Sequence, residues 1–172
     1  FAAEDGAACE ATWGRVVLKP PPDDQTQWFG ALQERGVRVL GVIARESIPR
    51  RLSYARSAAR YRAQYGGILD ALQVGNEPDL RSRSSWTMRP HLLGRLLRAF
   101  RDAFPRALLV GPGLASGNAD YLDRVGLGLV DAIAVHPYGQ RARADLPYSP
   151  GFEGFGTVAD LLDGYRRFDK PL

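Results

Sequence analysis

Short apolar runs alternate with segments of helical spacing along almost the whole chain, and this alternation restricts the fold more than any other feature. The runs are Arg15 to Lys19 (RVVLK), Val37 to Ile43 (VRVLGVI), Ala71 to Gly75 (ALQVG), Ala107 to Gly111 (ALLVG) and Asp131 to His136 (DAIAVH). Each is short and rich in Val, Leu or Ile, as expected of parallel strands covered on both faces. Between them, Tyr54, Ala58, Tyr61 and Tyr65 make one helical face ahead of Gly66-Gly67. Leu92, Leu93, Leu96, Leu97 and Phe100 make another, closed by Pro105. Trp28 falls in a further helical segment, where a tryptophan is expected in the core. Thr157 followed by Asp160 resembles a capping box that opens a helix through Val158, Leu161, Leu162 and Tyr165. One strand plus one helix takes roughly 30 residues, which is the repeat seen here.

Composition removes several functional classes. The chain has 172 residues, 45% hydrophobic and 24% charged, which suits a single domain over 1–172 with a real core. No apolar run approaches the roughly 20 residues of a membrane-spanning helix. Net charge is +4, yet the arginines are spread along the chain, accompanied by acidic residues and not interleaved with aromatics. No nucleic-acid partner is expected from that pattern. Cys9 is alone, so no internal disulfide can form, and with only two histidines the chain has no Cys/His zinc framework.

Two architectures use such repeats: an open doubly wound sheet and a closed (β/α)8 TIM barrel. The first should carry a glycine-rich phosphate turn after its first strand. The residues there are Pro20-Pro21-Pro22-Asp23-Asp24, and prolines offer no N–H to a phosphate. Gly111-Pro112-Gly113 is likewise a turn without the Lys-Ser/Thr of a phosphate loop. Polar residues instead gather at successive strand ends: Lys19, Arg45-Glu46, Asn76-Glu77, and His136 with Tyr138. Such a ring is the active-site face of a barrel. A whole barrel takes about 250 residues, so the expectation is an incomplete α/β barrel of five units and the start of a sixth strand at Asp169-Lys170-Pro171-Leu172.

The most informative segment is Leu72 to Asp79, LQVGNEPD. A strand ends at Gly75, and Pro78 disfavours helical geometry at Glu77, predicting a carboxylate held in an extended turn at the strand tip. Asn76 can donate to a sugar hydroxyl. Aromatic walls around Glu77 would raise its pKa as a general acid requires. Asp70 and Asp131 precede their strands and are expected at the opposite, structural end. Asp79 is expected to brace its loop, Glu46 to pair with Arg45 or touch a subsite, and Asp145 and Glu153 to be solvated. Lys19 ends its strand, and Arg15, entering the same strand, is expected to point away.

Asn76-Glu77-Pro78 closing a strand resembles the strand-four signature of clan A glycoside hydrolases, the retaining (β/α)8-barrel enzymes. Ile133 to Tyr138, IAVHPY, is similar to the end of strand six in that clan. The resemblance implies that the chain covers about strands two to six and the start of strand seven. It implies Glu77 as acid/base catalyst and Asn76 as partner of the sugar 2-hydroxyl. It also puts His136 at the substrate and Tyr138 beside the nucleophile. Trp86, in the loop after Glu77, could stack on a sugar ring. The partner is then a carbohydrate substrate, cleaved with no need of a metal or organic cofactor, and the clan is often secreted.

The clan's nucleophile is a glutamate shortly after a start such as Lys170-Pro171-Leu172. This chain carries the first carboxyl and not the second, so no turnover is expected of it alone, and unpaired strand edges should make it poorly stable. A carbohydrate-binding barrel that has lost activity is the alternative, followed by a barrel enzyme of another class using Lys19 or His136.

Overall fold

A computed structural model describes residues 12–49, 51–80, 88–116, 118–136 and 158–172. Its strands are β1 (Trp13–Val17), β2 (Arg38–Ile43), β3 (Ala71–Val74), β4 (Leu108–Gly111) and β5 (Ala132–Ile133). Its helices are α1 (Thr26–Gln33), α2 (Tyr54–Tyr65), α3 (Pro90–Ala103), α4 (Ala119–Val125) and α5 (Val158–Arg166). The five expected full strands are present, with β5 shorter than the apolar run that encodes it, while residues 169–172, expected to begin a sixth, form no strand. The proposed cap at Thr157 lies outside the described residues. Helix α4 has no counterpart among the expected elements; Asn118 caps its start by accepting from Asp120 N, and Gly126 closes it at φ 78°.

The five strands are all parallel and lie in the order β1-β2-β3-β4-β5. A doubly wound sheet reverses its order at a switch point; this sheet does not among its described strands. The result is an α/β fold with strand neighbours in sequence order. Main-chain pairing continues past β5, because Ile133 N donates to Pro171 O at 2.9 Å.

Register separates the sheet into two chemically different faces. Leu18, Val39, Ile43, Leu72, Val74, Leu109 and Ile133 share one face and join the helices in the core. A row of rings runs through that core from Phe29 to Tyr65, Tyr61, Phe100 and Phe104, with successive centroids 5.8, 5.9, 5.8 and 6.2 Å apart. Trp28 packs against this core, as expected. Arg15, Val17, Leu40, Val42, Gln73, Leu108 and Val110 occupy the other face, where Val17 and Leu108 are exposed. That face leads to the strand ends where the polar residues gather.

The opposite end of the sheet is pinned by aspartates. Asp70 Oδ2 accepts from Val39 N at 2.8 Å, and Asp131 Oδ2 accepts from Leu109 N at 2.8 Å. Each carboxylate thus fastens the start of its own strand to the preceding one. Burial works to raise the Asp131 pKa, but the bonds from Leu109 and Arg101 outweigh it and hold the carboxyl below its ordinary value. The stability Asp131 lends is therefore complete above about pH 4 and lost as pH falls through the depressed folded value. Melting temperatures of the wild type and Asp131→Asn should converge as pH is lowered; a constant gap across the acid range contradicts this origin.

Candidate active site

Glu77 follows the end of β3, and its position is set by the backbone before its side chain is considered. Gly75 turns at φ 95°, a conformation few other residues adopt, and an added Cβ there would lie 3.0 Å from Pro112 Cβ. Asn76 then bridges to Gly113 after β4, and Glu77 N donates to Gly113 O at 2.8 Å. Pro78 bars the right-handed helical region as expected, yet Glu77 is not extended: it sits at φ 47°. A non-glycine residue at positive φ costs about 1–3 kcal/mol. The paired ends of β3 and β4 hold it there.

His136 follows β5 and reaches back across the end of β4. Its Nδ1 lies 3.0 Å from Glu77 Oε1, and both side chains are largely shielded from solvent. The path is open because position 113 has no side chain. A Cβ on Gly113 would collide with His136 Nε2 and come within 2.5 Å of Cδ2 and 3.0 Å of Cε1. Glycine is required here for space rather than for backbone freedom. The pair suits a carboxyl group that changes state: a carboxylate can accept from Nδ1–H, and a carboxylic acid can donate to an unprotonated Nδ1.

A second arm of the site comes from β1. Arg15 lies on the face shared with Gln73, contrary to the expectation that it points away. Its Nε donates to Gln73 Oε1 at 3.1 Å, and its terminal nitrogen donates to Asn76 Oδ1 at 2.7 Å. Period-two alternation explains the correction, since Arg15, Val17 and Lys19 have one parity and Arg15 must face the side that carries Gln73. Desolvation lowers the Arg15 pKa, and the negative charge of Glu77 opposes that shift.

Asp79 braces the loop as expected, accepting from Ala115 N at 2.9 Å, Ser116 N at 2.8 Å and the Ser116 hydroxyl. Burial raises the pKa of Tyr121, helped by the charge of Asp79, and the Tyr121 hydroxyl donates to Met88 O. Lys19 is exposed beyond β1, where its N–H donates to Gln25 Oε1. Tyr138, Trp86, Asp145, Glu153 and Cys9 lie outside the described residues, as does the side chain of Glu46. Of the expected site residues, the fold thus brings together Asn76, Glu77 and His136, and adds Arg15, Gln73 and Gly113.

A GH128 (subgroup II) endo-β-1,3-glucanase from Sorangium cellulosum superimposes over 99% of this chain and 67% of its own, with TM-score 0.65 and 21% identity. The chain shares its fold with a glycoside hydrolase. Virulence factor SghA from Agrobacterium tumefaciens matches over 66% of this chain and 35% of its own, with TM-score 0.51 and 16% identity. The chain therefore spans about a third of SghA's length. No family model matches the sequence, and no curated protein matches it.

Proposed function

We propose that the chain forms the acid/base side of a retaining glycoside hydrolase acting on β-linked carbohydrate, on a (β/α)8 barrel of clan A type. The observation that carries the reading is the Glu77–His136 pair, 3.0 Å apart at neighbouring strand ends, with Asn76 next to it. The fold shared with an endo-β-1,3-glucanase supports it and makes β-1,3-glucan the first substrate to try. The unreversed strand order supports the barrel.

In this reading Glu77, as the acid, protonates the glycosidic oxygen while a second carboxylate attacks the anomeric carbon. The leaving sugar departs as an alcohol and a glycosyl-enzyme forms. Glu77, now a carboxylate, takes a proton from water, and the hydroxide displaces the nucleophile. Asn76 donates to the sugar 2-hydroxyl, His136 lies at the substrate, Tyr138 stands beside the nucleophile, and Trp86 stacks on a ring. The nucleophile belongs to the end of the strand that starts at Lys170-Pro171-Leu172. The bond from Ile133 N to Pro171 O supports that placement by seating this segment next to β5.

Proton NMR of β-1,3-glucan hydrolysis by the full-length protein tests the reading. The β-anomer should appear first and mutarotate afterwards. Initial release of the α-anomer would contradict retention, and glucan binding without hydrolysis would favour a carbohydrate-binding barrel.

A further inference from the structure

We propose that Gln73 is a positioning residue that, through Arg15, fixes the amide of Asn76 with its NH2 group facing the substrate. This rests on the proposed glycosidase reading for its function, but not for its geometry. Gln73 is 1% exposed, in a strand whose other residues are Ala71, Leu72 and Val74. A buried carboxamide is costly unless its bonds are made. Both ends of Gln73 are used: Nε2 donates to Gly75 O at 2.9 Å, and Oε1 accepts from Arg15 Nε at 3.1 Å. Flipping the amide would set oxygen against oxygen at Gly75 and donor against donor at Arg15, so one orientation is allowed.

That orientation is passed on. Arg15 spans from β1 past β2 to β3, and with Nε held by Gln73 its terminal nitrogen falls 2.7 Å from Asn76 Oδ1. A guanidinium only donates, so Asn76 must present its oxygen to Arg15 and its NH2 to the other side. Gln73 also holds the carbonyl of Gly75, whose φ of 95° directs the chain into Asn76 and Glu77. A leucine or methionine would fill the same space in the strand and do neither task.

Two measurements on the full-length protein decide the matter. Side-chain amide NMR should place the Asn76 NH2 signals away from free-amide positions in the wild type and move them toward those positions in Gln73→Met. Arg15→Met, which leaves the bond from Gln73 to Gly75 O in place and removes the relay to Asn76, should move the Asn76 signals in the same direction and is the working comparison if Gln73→Met does not fold. An Asn76 pair indifferent to both substitutions overturns the proposal, whether or not the protein hydrolyses glucan. In kinetics on β-1,3-glucan, Gln73→Met should lower kcat about tenfold with the KM little changed, and should cost nothing further when added to Asn76→Ala. Additive losses would assign Gln73 to the fold alone. Failure of the glycosidase reading shows separately, as absence of hydrolysis by the wild type.

Discussion

Replacing Glu77 with glutamine in the full-length protein is expected to lower kcat/KM on β-1,3-glucan by about 10²- to 10⁴-fold, the usual contribution of a positioned general acid. The substitution is nearly isosteric and can still bond to His136, so the fold should survive and melting should shift little. A carboxamide cannot give up a proton to a departing sugar oxygen, and that oxygen is too basic to leave unaided. The loss should fall mainly on kcat, because the missing interaction belongs to the transition state. Unchanged rates in Glu77→Gln would remove this residue from the mechanism.

The second large effect is expected from one added methyl group. Gly113→Ala places a carbon within 2.5 Å of His136 Cδ2, so the imidazole must move off Glu77 or the end of β4 must shift. Overpacking of this kind costs about 1–3 kcal/mol. Activity should fall by about 10- to 100-fold, because the acid/base group loses the partner that holds it, and the histidine ring resonances should change with it. Gly67→Ala is the control, since a Cβ there meets nothing within 4 Å. Wild-type activity in Gly113→Ala would show that the contact between His136 and Glu77 is dispensable.

The strands and long helices were legible because Val, Leu and Ile runs and the α3 stripe are local signals, each readable without knowing what packs on it. Helix α4 was not, since its seven residues bury only Leu122 and Val125, too few to show a period. In the site, Asn76-Glu77-Pro78 and His136 could be read as motifs. Gly113 could not: its role is to be empty beneath a ring that arrives from another strand, and an empty place leaves no pattern. Arg15 is legible too, since alternation along β1 turns it toward the face that carries Gln73. Gln73 hides inside an apolar run, where one amide looks like noise until its two bonds are seen. The turn at Glu77 depends on a pairing between the ends of β3 and β4, so proline rules alone placed it in the wrong region of backbone space.

The claim that matters most is that Glu77 delivers a proton to the departing oxygen, and the dependence of rate on the leaving group tests it most directly. Glycosyl-enzyme formation should be compared in the wild type and Glu77→Gln for a 2,4-dinitrophenyl β-glycoside and for a sugar leaving group. If the account holds, the variant forms the intermediate from the dinitrophenyl compound at a near wild-type rate and loses about 10²-fold or more on the sugar leaving group. An equal loss on both would contradict it.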